Sequence, residues 1–464
     1  MSVPLADPTY TGDLGNGLVS RWSTAADQER IAHCLATVFR SGAEAPLDER
    51  VFDETRVLMS PDFPLMGPGD YAIVEDTSLP DRPVVAVTCC WSHQWSYDGI
   101  PFGVGQPETV GTRPEYRNRG LVRAVFDMFH ARSAAKGEVL QAITGIAYFY
   151  RQFGYEYVLD LDGRRLTYVA AIPEQNGDEP EPYRLRLATL DDVSHLQALY
   201  NGSRSASLVW HETTESYWRH HIASWEDPAV RGKDPTQVGL FGRLRMIVDT
   251  AGQVCGYTLL AAKRRSAALR VFAIQLYPTV SWQAAMPSLL RSLRAYGQQT
   301  PATTPETKPF SELSFDLGRA HPAYAVLGEA LAPRVEPPYA WYLRVPDVPG
   351  FIRHIAPVLE RRLADSILTG HSGDLVIDFY RGGLRLHFDQ GKLVTVEPWR
   401  APAYGDDAPA GCPALIFLQL LFGYRSLAEL RATFPDVWAQ QEAALLIDIL
   451  FPKQPSTVRM MSCT

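Results

Sequence analysis

The chain has 464 residues, which is too long for one ordinary hydrophobic core, so two or three domains are expected. Apolar residues make up 46% and charged residues 21% of the sequence, a balance typical of globular proteins with sizeable cores. The net charge of −8 argues against nucleic acid as the main partner and leaves room for a cationic substrate.

The cysteines and the first residues of the chain predict a cytoplasmic protein. The six cysteines form no Cys-x-x-Cys pair and have no histidine at ligand spacing, so we expect reduced, mostly buried thiols and no metal site. Residues 1–15 have neither a basic start nor an apolar core, which argues against a signal peptide. The most apolar predicted helix, 415–422, is too short to cross a bilayer, so no membrane partner is expected.

Residues 1–171 are predicted to form a mixed α/β domain, because strand and helix patterns alternate along them. We expect a helix over 25–39, strands over 71–75, 84–91 and 140–146, and a hairpin over 157–169. The acidic, proline-rich stretch 173–182 predicts a linker.

Residues 108–124, with the sequence ETVGTRPEYRNRGLVRA, predict an anion-binding turn between a strand and a helix. A β-favourable run over 109–112 is followed by a basic turn, and a helical pattern then begins at Leu121. The first N–H groups of a helix have no partner within it, and the helix dipole is positive there, so a pyrophosphate can accept several hydrogen bonds.

The basic turn itself adds charge and close access for an anion. Gly120 lets the backbone approach the ligand, and the positive charge comes from Arg117, Arg119 and Arg123. An exposed helix start with solvated arginines is the alternative interpretation of the same pattern.

The rest of the chain divides into two further parts. Residues 183–340 repeat the order of strands and helices of the first part, but the stretch YPTVSWQAAMPSLL has no glycine and no basic turn where the anion site would recur. Residues 345–464 combine a helix over 351–365, three strands, and helices over 413–421, 427–434 and 439–451. Ser426 and Glu429 form a capping box for the second of these three helices.

These features resemble the GNAT acyltransferases. The sequence Arg117-x-x-Gly120-x-Val122 is similar to their coenzyme motif, Arg/Gln-x-x-Gly-x-Gly/Ala. Val122 departs from Gly or Ala, yet the run RNRGLVRA is similar to RRRGLLRA in the branch of the mycobacterial enhanced intracellular survival protein. The resemblance implies an α/β (α+β) fold in three parts: a catalytic GNAT domain at 1–171, a degenerate GNAT-like domain at 183–340 and a sterol-carrier-protein-like domain at 345–464. An ordinary core or an apolar groove would both suit the last domain.

The resemblance also implies a function. We expect an N-acetyltransferase that uses acetyl-CoA as co-substrate and acts on a primary amine, either of a small polyamine-like or aminoglycoside-like cation or of a lysine side chain. A homo-oligomer is implied, with a hexamer as one form. The acceptor stays open, because loops whose shape the sequence does not give form its pocket. A non-catalytic acyl-CoA or lipid-binding protein is the alternative. The implied coenzyme contacts are Val110, Gly111, Thr112, Arg117, Asn118, Arg119, Gly120, Leu121, Val122 and Arg123.

Three residues are the candidate catalysts. Relatives of this branch carry a tyrosine three residues before Phe-Gly-Tyr, which places the general acid at Tyr150. Their C-terminal carboxylate acts as the base, a role that would fall here to Thr464. Glu108, just ahead of the key strand segment, is the alternative base, with Asp98 and Glu156 as further choices.

Overall fold

The protein is a mixed α/β structure, as predicted. A computed structural model of the chain describes residues 3–175, 177, 180–228, 230–303, 308–402 and 408–458. In this part of the chain the strands are β1 (Thr11–Gly15), β2 (Leu18–Trp22), β3 (Tyr71–Asp76), β4 (Val84–Tyr97), β5 (Ile100–Thr112), β6 (Leu140–Ile143), β7 (Glu156–Leu161), β8 (Arg164–Tyr168), β9 (Tyr183–Leu187), β10 (Val209–Glu212), β11 (Gly242–Asp249), β12 (Val254–Ala261), β13 (Ala268–Leu276), β14 (Glu312–Phe315), β15 (Arg334–Glu336), β16 (Tyr339–Arg344), β17 (Gly373–Asp378), β18 (Gly383–Asp389), β19 (Lys392–Trp399), β20 (Ala410–Gly411) and β21 (Trp438–Ala439).

The helices lie between and around these strands. They are α1 (Gln28–Phe39), α2 (Glu49–Leu58), α3 (Leu121–Ala135), α4 (Val193–Asn201), α5 (Glu215–Ala223), α6 (Trp282–Gln299), α7 (Ala323–Leu331), α8 (Val348–His354), α9 (Ala356–Ala364), α10 (Ala414–Leu421), α11 (Leu427–Thr433) and α12 (Gln441–Leu450). The predicted capping box of Ser426 and Glu429 opens α11. Among the described helices, none combines the length and the apolar character that a membrane span requires.

The first sheet has the order β1-β2-β3-β4-β5-β6-β16-β7, and β10 pairs with part of β4. Both faces are covered. Alternate residues of β3, such as Ala72 and Val74, pack toward α3, whereas Tyr71 and Ile73 pack toward α1 and α2. This alternation explains why every residue of β3 is buried.

Two strands change places between the first and second sheets. The second sheet has the order β15-β8-β14-β13-β12-β11-β9. It therefore contains β8 of the first part. Strand β16, which comes after the strands of the second sheet in the chain, lies instead in the first sheet between β6 and β7. The predicted hairpin over 157–169 is therefore wrong. The turn at Asp162 and Gly163, both with positive φ, is tight enough for a hairpin, but the two strands leave it for different sheets.

The three sheets share hydrophobic cores. One cluster joins α1, α2 and the first sheet to α4, α5 and strands β11–β13 of the second part. Another joins the first sheet to the third sheet, β19-β18-β17-β20-β21, and its helices. Across that second junction the Tyr97 hydroxyl donates a hydrogen bond of 2.7 Å to the Leu421 carbonyl. The predicted domain boundaries stay a prediction, because the cores extend across the junctions between the parts.

The exchange of β16 makes the first sheet depend on a distant segment of the chain. Leu343, which is fully buried in β16, lies opposite Ala142 of β6 and Glu156 of β7. We expect Leu343→Ala to destabilise the protein by about 2–5 kcal/mol, because it removes a core side chain from β16, the strand that joins β6 to β7. Urea unfolding followed by tryptophan fluorescence would show this as a lower midpoint.

Val394→Ala is the matched control, because Val394 lies on β19 and is 57% exposed. Its midpoint should stay close to that of the unsubstituted protein. Equal midpoints for both variants would contradict the importance of β16.

Candidate active site

The candidate active-site cavity lies where β5 and β6 separate. The two strands pair in parallel only at Val104 with Leu140 and at Gly105 with Gln141. Beyond these pairs an opening of about 390 Å³ is lined by 107–110 of β5, by 143–146 after β6, by Tyr150, and by residues of α1 and α2. The backbone of β5 therefore has one edge paired with β4 and the other edge facing this opening.

A β-bulge directs three successive residues of β5 into the cavity. Val87 of β4 pairs with Gly111 and Cys89 pairs with Glu108, so that Thr109 and Val110 together oppose one residue of β4. Thr109 has a φ of 49°, in the left-handed region. Neighbouring residues of a regular strand point to opposite faces, but here Glu108, Thr109 and Val110 all line the cavity.

The carboxyl group of Glu108 is a candidate base. Burial raises its pKa from the usual 4.5 to about 7, while hydrogen bonds from Gln106 and from the Thr109 backbone act in the opposite direction, and the negative charge of Glu54 raises it further. The Gln106 amide donates to Glu108 Oε1 at 2.7 Å and fixes the carboxyl group in place. A group with this pKa can both accept and release a proton near neutral pH.

Tyr150 lies on the same cavity and is a candidate acid. It is part of the 3-10 helix Phe149–Phe153, and its ring packs against Phe126 and Tyr342 with centroid distances of 5.8 and 5.5 Å. Burial, followed by the charge of Glu108, raises the pKa of Tyr150, so its hydroxyl keeps its proton at neutral pH. That hydroxyl makes no hydrogen bond to any described residue, which leaves it available to a ligand.

Two structural features that shape the cavity were not predicted from the sequence. Tyr339 and Tyr342 of β16 donate to the carbonyls of Gly145 and Ile146 at 2.8 and 3.2 Å, so they hold the loop after β6 in place. Nothing local in the sequence indicates this contact. The other feature is helix α2, which had a signal in its apolar spacing and in the N-cap residue Asp48.

The predicted anion site has the expected backbone geometry. Gly120 has a φ of 77°, and the first helical hydrogen bond of α3 runs from Ala124 to Gly120 at 3.2 Å. Within the described chain, the N–H groups of residues 118–123 donate no hydrogen bond. Six amides at the start of one helix are therefore available to an anion.

The arginines around these amides carry no carboxylate partner among the described residues. Arg117 donates to the Thr112 carbonyl at 3.4 Å, Arg119 to the Glu115 carbonyl at 3.1 Å, and Arg123 lies over the ring of Phe153 at 5.2 Å. The charge of Arg119 also acts on Asp76, but at a distance longer than that of an ion pair.

The other predicted residues lie elsewhere. Asp98 is in the turn between β4 and β5, where it pairs with Arg361 at 2.7 Å, and Glu156 pairs with Arg151 at 2.5 Å beside a separate cavity. Neither lines the candidate active-site cavity. Thr464 lies outside the described residues. In the described part of the chain, no group of three or more His, Cys, Asp or Glu side chains is placed to hold a metal ion.

Comparison with known proteins identifies the class of the first domain. Residues 20–158 match the family model described as an acetyltransferase (GNAT) domain. This part of the chain is a GNAT acetyltransferase domain. No curated protein sequence matches the chain at a significant level.

Solved structures of similar fold cover nearly the whole chain. A GCN5-related N-acetyltransferase from Anabaena variabilis is 14% identical, with a TM-score of 0.63 over 95% of this chain and 99% of its own. One from Kribbella flavida is 18% identical, with a TM-score of 0.60 over 95% and 97%. Eis1 from Mycobacterium abscessus is 14% identical, with a TM-score of 0.55 over 94% and 98%. At these identities the likeness is one of fold.

The raised pKa of Glu108 has a consequence for stability. The folded state holds its proton up to about pH 7, whereas an unfolded chain loses it near 4.5, so this group contributes full stability only below about pH 4.5 and loses its contribution as the pH rises to 7. We expect Glu108→Gln to gain stability relative to the unsubstituted protein over that range, by up to about 3 kcal/mol. Melting temperatures between pH 4.5 and 8 would measure the difference.

Glu115→Gln, at an exposed position outside the cavity, controls for the loss of one negative charge. If the stability gain of Glu108→Gln is no larger at pH 8 than at pH 5, Glu108 is not the buried, proton-retaining group described above.

Proposed function

We propose that the protein is an acetyl-CoA-dependent N-acetyltransferase that acts on a primary amine. The observation that carries the proposal is the placement of Glu108 and Tyr150 on one cavity, at the point where β5 and β6 separate. The carboxyl group of Glu108 has a pKa near neutrality, and the hydroxyl group of Tyr150 keeps its proton at neutral pH. Amine acetylation needs a proton acceptor for the amine and a proton donor for the departing thiolate.

The coenzyme has a suitable surface along β5 and α3. Its diphosphate would accept hydrogen bonds from the amides of 118–123, with Arg117, Arg119 and Arg123 close by. The pantetheine arm would pair with the backbone of Val110, Gly111 and Thr112, because this edge of β5 has no strand beside it after Gly105. The thioester would then lie in the opening beside Glu108 and Tyr150.

The proposed reaction proceeds through a ternary complex. The ammonium of the acceptor gives a proton to Glu108, directly or through water, and the nitrogen lone pair forms a C–N bond to the thioester carbonyl carbon. A backbone N–H of β5 stabilises the oxyanion. The C–S bond then breaks, the nitrogen loses its second proton to solvent, and the coenzyme thiolate takes the proton of Tyr150. Tyr150 and Glu108 re-equilibrate with solvent, so the products are an acetylated amine, coenzyme A and one proton.

Glu108 is the base that the described residues supply. The other ionisable groups around it are Tyr71, Cys89, Tyr150 and Glu54. Burial raises the pKa of Tyr71, Cys89 and Tyr150, so these three stay protonated at neutral pH and cannot take the proton of the amine. We therefore favour Glu108 over these three groups as the base, and the assay described below compares it with the carboxylate of Thr464.

The resemblance noted above supports the remaining parts of the proposal. These are a cytoplasmic homo-oligomer, a second GNAT-like domain with no cofactor of its own, and a sterol-carrier-protein-like third domain.

The first prediction from this proposal concerns coenzyme binding at Gly120. We expect Gly120→Ala to weaken coenzyme A binding about tenfold or more, because a side chain disfavours a φ of 77° and turns the neighbouring amides away from the diphosphate. A Cβ at this position meets no atom within 4 Å, so the effect comes from the backbone and not from a clash. Titration calorimetry with coenzyme A and with pantetheine would measure it.

Gly137→Ala is the matched control. Gly137 follows the same helix at its other end, has a φ of 75°, and also has open space around a Cβ. Both variants should lose similar stability, while only Gly120→Ala loses affinity for coenzyme A and neither changes pantetheine binding. Equal affinities of the unsubstituted protein for coenzyme A and pantetheine would contradict the diphosphate site.

The second prediction concerns the proton donor. Tyr150→Phe should lower kcat about 100-fold or more while leaving the Kd of coenzyme A unchanged, because it removes only the hydroxyl that protonates the thiolate. Release of coenzyme A from acetyl-CoA, followed with a thiol reagent and a panel of amines, gives the rates. Tyr148→Phe is the control, since Tyr148 is a neighbour with 71% exposure. Equal losses in both variants would exclude Tyr150 as the acid.

The same assay separates the two candidate bases. With Glu108 as the base, kcat/KM rises with pH to a plateau above about 7, and Glu108→Gln abolishes the acid limb. Deletion of Thr464 should then leave turnover unchanged. A normal rate in Glu108→Gln and a lost rate after the deletion would assign the role to the C-terminal carboxylate.

A further inference from the structure

The acceptor side of the cavity is mostly apolar. Helices α1 and α2 and the loop after β6 form its wall, and the apolar side chains that line it are Leu35, Phe39, Val51, Leu58, Ile143 and Ile146. The polar side chains that line the cavity are Glu54, Thr55, Glu108, Thr109, Thr144 and Tyr150. The Thr55 hydroxyl already donates a hydrogen bond of 2.7 Å to the Val51 carbonyl, so its proton is not available to a ligand.

This wall fits some amines much better than others. A polyhydroxylated amine would bring more hydroxyl groups than the few polar side chains of the cavity can pair with, and burying an unpaired polar group is costly. A hydrocarbon chain gains from the same surface. The walls therefore favour an acceptor with few polar groups other than its amine.

The two carboxylates give that amine a fixed place. Glu54 and Glu108 line the same cavity, and they are close enough for the charge of Glu54 to act on Glu108. Helix α2, which carries Glu54, is held to the second part of the chain by Arg56 with Asp227 at 3.2 Å and by Lys233 with Asp53 at 3.6 Å. The charges of Arg50 and Lys263 also act on Glu54, so an ammonium beside Glu54 and Glu108 would share the Glu54 carboxylate with these cations. The rest of the acceptor would follow the apolar wall.

The mouth of the cavity continues the apolar surface outward. Phe39 and Ile146 line the cavity, and they are 55% and 57% exposed. A linear or arylalkyl chain could thus leave the cavity along these side chains and still bury apolar surface.

We propose that the preferred acceptors are primary amines with an apolar body, such as alkylamines and arylalkylamines, and that Glu54 determines this specificity by binding the ammonium. The proposal rests on the function proposed above and narrows its acceptor class. Polyamines and aminoglycosides, which the sequence left open, are then poor acceptors.

A homologous series of amines tests the apolar wall. From propylamine to octylamine, kcat/KM for coenzyme A release should rise about three- to fourfold per methylene until the chain passes Phe39 and Ile146. Pentylamine and free lysine share a five-carbon chain, and pentylamine should be the better acceptor by at least tenfold. A flat series, or a higher kcat/KM for lysine, spermidine or an aminoglycoside, would overturn the proposal.

Substitutions test the contribution of the Glu54 charge separately from that of the apolar wall. Glu54→Gln should lower kcat/KM for hexylamine about tenfold and move the acid limb of the pH profile to lower pH, because the charge that raises the pKa of Glu108 is gone. Glu49→Gln, an exposed residue of the same helix, should change neither. Phe39→Ser should reduce the gain in kcat/KM per methylene, so that it lowers kcat/KM for octylamine more than for propylamine. Unchanged rates in Glu54→Gln would exclude its role.

Failure of the proposed function has a different signature. If no amine releases coenzyme A although calorimetry finds coenzyme A bound, the acetyltransferase activity itself is overturned. If amines react but the series shows no dependence on chain length, only the acceptor class is wrong.

Discussion

The separation of β5 from β6 is the constraint on which the site depends. A continuous sheet satisfies its backbone groups internally, whereas two strands that diverge leave part of an edge without a partner. Here the pairing ends after Gly105 and Gln141, and the opening that follows holds the bulge of β5. The unpaired edge is costly for an empty protein and useful for a ligand with amide groups, because such a ligand can complete the hydrogen bonding that β6 does not.

The opening stays in place because of a segment that follows the second sheet. Strand β16 lies between β6 and β7, and its tyrosines hold the loop after β6 through the carbonyls of Gly145 and Ile146. Tyr342 also packs against Tyr150. The wall of the cavity and the orientation of the candidate acid thus depend on residues almost 200 positions away in the chain.

The local parts of the site could be predicted from the sequence, and the non-local parts could not. The turn before α3 could be predicted because its glycine, its arginines and the helix start lie within a few residues of one another. The geometry of such a turn depends on residues that are neighbours in the sequence. The prediction that 157–169 form a hairpin failed for the opposite reason. A tight turn at Gly163 is a local property, but the partners of β7 and β8 come from residues 312–344. Helix α2 was not predicted, although it lies between α1 and β3, which were. Its position as a wall of the cavity depends on a hydrophobic cluster that includes residues of the second part of the chain.

That cluster gives the second part of the chain a physical role beside the cavity. Helix α2 carries Glu54 on the side of the cavity and packs against α1. It also contacts the second part through Asp227, Lys233 and the backbone at Gly239, where a Cβ would come within 3.4 Å of Arg50 and Glu54. A shift of the second sheet would therefore move one wall of the cavity while leaving the bulge of β5 unchanged. Substitutions in the second part can therefore change the position of α2 without changing Glu108 or Tyr150, which lie on other elements of the first part.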